Sequence, residues 1–167
     1  EVHGIVGAVE NLVSGNAYIL GDILTMYSGK KVEIHNTDAE GRLILADALC
    51  YAERMGVDRI VDLATLTGAC MVALGEYTSG VFSNNDELKE RFLQTANKTD
   101  ESFWSMPLDK KLRSQLDSKI ADIKNCGKRF GGAITAGLFL QEFVEETPWI
   151  HLDIAGPAHV AAGLGSI

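Results

Sequence analysis

Between Lys31 and Ala64 the hydrophobic pattern changes period twice, and that switch constrains the fold more than any other feature of the chain. Lys31–His35 reads as a strand. From Arg42 the apolar residues Leu43, Ala46, Leu49 and Cys50 recur at helical spacing, and Gly56 stops the helix as a C′ glycine does. Arg59–Ala64 then reads as a second strand. Strand, helix and strand within about thirty residues make a βαβ unit, which predicts two parallel strands. Thr37 and Asp38 are capping types, and Glu40 stands three residues after Thr37 as in a capping box, so the helix is expected to open there.

The flanking sequence extends this pattern. Val2–Val9 alternates small and branched residues and reads as a buried strand with close backbone approach at its glycines. Asn11 to Gly21 reads as a loop, and Ile23–Tyr27 with Lys31–His35 as a hairpin turning at Ser28-Gly29. Asn85 caps a helix reaching about Asn97, and Leu108 to about Lys124 reads as a second, more polar helix. Gly131–Val144 is small and apolar along most of its length, as a buried helix is, and Trp149–Ile154 reads as a closing strand. The tail from Ala155 to Ile167 has little pattern. The expected class is α/β, with a mostly parallel or mixed sheet flanked by helices, in one domain long enough to bury a core.

Charge and cysteine usage exclude several functions. Fifteen basic residues against 23 acidic ones leave a net charge of −8, which argues against nucleic acid and against an anionic membrane surface as partners. The longest apolar stretch, Gly131 to Leu140, is far short of the roughly 20 residues a bilayer demands. Glu1-Val2-His3 lacks the basic start and apolar core of a signal peptide, and with no initiator Met the true N-terminus is expected upstream. Cys50, Cys70 and Cys126 are scattered, as reduced thiols of a cytoplasmic protein are, so neither disulfides nor a thiolate zinc site is expected.

In an open α/β sheet, ligands gather beyond the carboxyl ends of the strands. Asp38, Glu40 and Arg42 fall at such a place. Two carboxylates one residue apart in a turn can converge on one point and offer hard oxygen ligands to divalent metals. The arginine adds a fixed cation for an anion or a developing oxyanion. The same residues also suit a plain helix N-terminus, where acidic side chains cap and Arg42 pairs with one of them. Spacing alone leaves both readings open.

Asn36-Thr37-Asp38-Ala39-Glu40-Gly41-Arg42-Leu43, unbroken, resembles the signature of the leucyl aminopeptidase (cytosol aminopeptidase) family. Further segments agree in order: Gly15-Asn16-Ala17-Tyr18 with Gly21-Asp22, Ala64 to Ala69, Ala121-Asp122 with Asn125, Gly131 to Ala136, and His151 to Gly156. The likeness runs to about Pro157. It implies an exopeptidase that removes Leu-like N-terminal residues from peptides with two divalent metals: zinc, with manganese or magnesium able to take one position. By the same resemblance Asp38 ligates metal, Glu40 bridges both ions, and Arg42 holds a bicarbonate-like anion that helps deprotonate water. Leu66 through its carbonyl and Gly68 through its N–H contact the peptide, while Thr65 and Ala155 line the pocket for the first side chain. A homo-hexamer of the full-length protein is implied too. A different carboxylate-metal hydrolase, such as a phosphatase, fits less well, because the Thr65–Gly68 segment accompanies the octapeptide.

The family's site also uses a Lys and two Asp residues from upstream segments, the Lys and one Asp from a Gly-rich stretch containing Phe-Asp-Thr-Gly-Gly, which this sequence does not have. Residues 1–167 therefore read as part of a catalytic domain, without an N-terminal domain and the first part of the catalytic domain. Two metal ligands remain of five, so the chain alone is expected to be inactive; a non-catalytic assembly module is the alternative. Lys30 and Lys31 read as solvated turn residues, His3, His35, His151 and His159 as non-ligands, and Asp153 as a hydrogen-bonded strand residue. Trp104 and Trp149 read as core or interface anchors. Gly131-Gly132 lacks the Lys-Ser/Thr that a phosphate loop requires. Val160–Ile167 does not continue the family's pattern.

Overall fold

A computed structural model describes residues 1–159. Seven strands and four helices follow in chain order: β1 (Ile23–Thr25), β2 (Lys31–Glu33), α1 (Gly41–Arg54), β3 (Ile60–Ala64), α2 (Gly68–Leu74), β4 (Thr78–Ser83), α3 (Asp86–Ala96), β5 (Ser102–Ser105), β6 (Ile123–Lys124), α4 (Gly132–Gln141) and β7 (Trp149–Asp153). A 3-10 helix, Lys110–Leu116, lies between β5 and β6. The class is α/β, as expected, but with two mixed sheets in place of one.

The small sheet has the order β1-β2-β6, with β1 antiparallel and β6 parallel to β2. The larger sheet runs β3-β7-β4-β5, with β3 parallel to β7 and β4 antiparallel to it. The register sets Asp62 against His151 and Ala64 against Asp153. The principal core lies between α1, α4 and the sheets, built on Val32, Ile34, Leu49, Leu140, Phe139 and Trp149.

The helix after β2 and the hairpin before it form where expected. Gly56 adopts φ +70 and ends α1, in the left-handed region that favours glycine. Asn85 caps α3 by accepting from the Leu88 N–H. The βαβ expectation fails: β2 and β3 lie in different sheets, and β3 pairs instead with β7, far along the sequence. The capping box fails too. Helix α1 starts at Gly41 on an N-cap Glu40 that makes no side-chain cap, which frees the residues before it for a turn.

Residues Val2–Val9 form no strand, and Val2, Val6 and Val9 are exposed. Alternation supplies a pattern, but a strand needs a hydrogen-bonded neighbour, and no described segment pairs with this one. Close approach does hold at Gly7, where a Cβ would stand 2.2 Å from the Ile44 side chain. Residues 108–124 are not one helix: the Asp109-capped 3-10 helix gives way to β6, whose Val32 and Glu33 neighbours take its backbone bonds. Helix α4 ends at Gln141, and single turns carry the chain on to Val144. Trp149 is fully buried, whereas Trp104 is exposed, on edge strand β5. Lys31 is exposed and Lys30 is half-buried; the Lys30 ammonium donates to the Glu142 carbonyl at 2.5 Å and pairs with the Glu142 carboxylate at 3.1 Å. The reading of Val160–Ile167 lies outside the described residues.

Candidate active site

The carboxylates sit on a turn clamped by one amide. Asn125, fully buried just after β6, accepts from the N–H of His35 at 2.8 Å and of Asn36 at 3.2 Å. Its Nδ2 donates to the carbonyls of Asn36 at 2.6 Å and Ala39 at 3.4 Å. The Asp38 N–H closes an Asx turn on Asn36 Oδ1 at 3.0 Å. All of these bonds use backbone, so they leave the Asp38 and Glu40 carboxylates free. Among the described residues neither carboxylate pairs with a cation.

Arg42 lies on the first turn of α1 with only 8% of its surface exposed. Its Nη1 donates to the Asn125 carbonyl at 2.9 Å, and its buried Nε has no partner. Burial lowers its pKa, against the charges of Cys126, Asp153 and Glu40, which favour the cation. A buried, unpartnered N–H on a cation is a costly arrangement unless an acceptor arrives. Tyr18 stands near Glu40: burial raises its phenol pKa first, and the Glu40 charge adds to the rise.

The opposite wall comes from the loop after β3. Asp153, at the carboxyl end of β7, accepts from the N–H groups of Leu66 at 3.2 Å, Thr67 at 3.4 Å and Ala155 at 3.2 Å. It also accepts from the Thr67 hydroxyl at 2.7 Å. Thr67 Oγ1 in turn accepts from the Cys70 N–H at 3.0 Å and caps α2. One buried carboxylate thus fixes Leu66 to Gly68 and the turn at Ala155. Asp153 is hydrogen-bonded, as expected.

Asp38, Arg42, Leu66 and Gly68 line one cleft of about 290 Å³, together with Asn36, Lys128 and Arg129. Glu40 is beside Arg42 and Tyr18 but is not in that wall. Thr65 is exposed and Ala155 buried, and neither lines the cleft. No cluster of three or more His, Cys, Asp or Glu side chains suited to a metal occurs among the described residues. The donor set suits divalent metal nonetheless: two hard, unpaired carboxylates beside an unsatisfied cationic N–H. Burial raises the thiols of Cys50, Cys70 (to about 11) and Cys126, so none is poised as a nucleophile. His151 is buried on Asp62 at 2.5 Å, away from the carboxylates, and His35 pairs with Glu33 at 2.6 Å.

Residue-by-residue reading of the sequence missed the parts played by Asn125 and Asp153. Asp153 carried a signal, a polar residue at the carboxyl end of a buried strand. Asn125 carried none, because its partners lie some ninety positions away.

A profile for the cytosol aminopeptidase family, catalytic domain, matches residues 1–165. A probable cytosol aminopeptidase from a Cyanothece species is 59% identical over 157 residues, covering 94% of this chain and 32% of that protein. One from Wolinella succinogenes is 56% identical over 164 residues, 96% of this chain and 34% of that protein. A solved structure of a mutant tomato leucine aminopeptidase superposes with a TM-score of 0.90 at 48% identity, over 92% of this chain and 31% of that one. The chain thus spans about a third of the length of the curated relatives it matches.

Proposed function

The chain belongs to the cytosol aminopeptidase family, and from that membership we propose that it is the carboxylate-bearing part of a metallo-aminopeptidase domain within a longer protein. That protein removes N-terminal residues, Leu-like ones first, from peptides. The observation that carries the reading is the pair of unpaired carboxylates, Asp38 and Glu40, on a turn clamped by Asn125 beside the buried Arg42.

Asp38 and Glu40 would hold a pair of divalent ions, zinc with manganese or magnesium able to replace one, and Glu40 would bridge them. Such a pair, when bound, supplies an acidified water and charge to stabilise the tetrahedral oxygens. Arg42 orients a bicarbonate-like anion; its orphan Nε supports this, since the anion would satisfy it. Such an anion, when bound, would supply a base near the cleft. Leu66 offers its carbonyl and Gly68 its N–H to the peptide backbone, and the Asp153 bonds to Leu66 and Thr67 support this by fixing the loop just before Gly68. Thr65 and Ala155 flank that loop and bound the pocket for the first side chain. The same reading places the protein in the cytoplasm as a homo-hexamer. Large exposed apolar side chains at Val72, Tyr77 and Phe130 support assembly.

The full-length protein should hydrolyse leucine amide, lose activity to a chelator and regain it with zinc or manganese. Asp38→Asn should lower kcat by at least about a hundredfold and weaken metal retention. Full activity of that variant at unchanged metal content would remove Asp38 from the site.

A further inference from the structure

A second cavity, of about 360 Å³, shares Cys126, Gly127 and Lys128 with the cleft that holds Asp38 and Arg42. Its other walls are His35, Ser114, Gln115 and Lys124. The chain carries a net charge of −8, yet among the described residues this cavity has two lysines and a histidine on its wall and no carboxylate. Glu33, which also feels the Lys124 charge, is engaged by the Ser118 hydroxyl and by His35. Lys124 and Lys128 form no ion pair with any described residue. Lys128 is the one cation common to both cavities, and Arg129 adds another to the first.

The loop carrying these cations is pinned. The Lys128 N–H donates to Gln115 Oε1 at 2.8 Å. Gly127 packs so closely that a Cβ would meet Thr135 at 2.9 Å, and Gly131 turns the chain into α4 with φ +75. A fixed backbone lowers the ordering cost of using a flexible lysine for recognition. Unpaired cations lining an acid-free cavity next to a cleft favour an anion.

We propose that this cavity binds a carboxylate on the leaving side of the peptide, with Lys128 as the principal contact and Lys124 behind it. The inference rests on the aminopeptidase reading and adds a specificity determinant to it. On that reading a peptide directs its amine end to the metals held by Asp38 and Glu40 and its first side chain toward Thr65 and Ala155. Only the part beyond the scissile bond is left to meet a polar, cationic cavity. Its carboxylate is either the C-terminus of a short peptide or an acidic second side chain, and both share one chemistry.

The test uses the full-length enzyme and three peptides: leucyl-glycine, leucyl-glycinamide and leucyl-aspartamide. In Lys128→Gln the ratio of kcat/KM for leucyl-glycine over leucyl-glycinamide should fall about fivefold, through KM, as loss of one partly exposed ion pair does. Lys128→Arg should restore the ratio, and added salt should erode it in the wild type. A drop confined to leucyl-aspartamide supports the same cavity with the side chain as the source of the carboxylate. An equal change for all three peptides, or none, overturns the inference and leaves the aminopeptidase reading standing. An enzyme that cleaves none of the three, nor leucine amide, overturns both.

Discussion

Asn125 has no exposed surface and uses both ends of its amide on the turn that carries Asp38 and Glu40. Truncation would strand the N–H groups of His35 and Asn36 and the carbonyl of Asn36, with a buried void beside them. Asn125→Ala should therefore cost about 2–4 kcal/mol of stability, measured by urea unfolding. A loss under about 0.5 kcal/mol would mean that the turn holds itself. Arg42 poses a different question, because its charge is buried on a single hydrogen bond with Nε unsatisfied. Arg42→Lys keeps the charge but not the planar fork, and should lower kcat by about 10²–10³ in the full-length protein while metal content stays constant. Residual activity within threefold of the wild type would show that the fork is dispensable. At this scale the octapeptide was legible in the sequence as chemistry, whereas its clamp was not. Asp38 and Glu40 are neighbours in the chain; Asn125 reaches them only through the parallel pairing of β6 with β2.

Elements meet at few but telling points. Glu142, just past α4, joins Lys30 of the hairpin and Arg113 of the 3-10 helix. Burial opposes its ionisation, but bonds from Arg113 and Lys30 outweigh that and leave its pKa lowered. A carboxylate depressed on folding adds stability above its unfolded pKa, and that contribution is lost as pH falls through the folded value. Glu142→Gln should therefore be less stable than the wild type at neutral pH and converge with it as pH drops below about 4. Urea-midpoint curves that stay parallel well below that pH would contradict the pairing. Where the turn after β7 crosses the one after α2, a Cβ on Gly156 would stand 2.3 Å from the Gly75 carbonyl. Gly156→Ala should cost about 1–3 kcal/mol by thermal unfolding, since backbone must move. Long helices and caps were readable: α1 by its period, α3 by Asn85. The missed elements are short or oddly composed. Helix α2 has seven residues, Gly-Ala-Cys-Met-Val-Ala-Leu, with no polar face to give a period. Strand β4, Thr-Ser-Gly-Val-Phe-Ser, has the composition of a loop and is a strand because β7 and β5 flank it. Strand β6 has two residues and exists only as an addition to β2.

At the scale of the whole molecule, the two sheets bring together carboxylates after β2, the Asp153-bonded loop after β3 and a cationic loop after β6. The sequence placed the first two by local pattern and resemblance. It could not place the third, because β6 is positioned by its pairing with the distant β2, Val32 against Ile123. The central proposal is that Asp38 and Glu40 ligate metal in a site completed by further residues of a longer protein. Metal content and leucine amide hydrolysis, measured together on the full-length protein, on its Asp38→Asn/Glu40→Gln variant and on residues 1–167 alone, test this most directly. The full-length chain should hold about two divalent ions and be active, and the variant should hold less than about one with activity down at least a thousandfold. Residues 1–167 alone should hydrolyse nothing. A variant that keeps both metals and activity, or a fragment that turns over leucine amide, would contradict it.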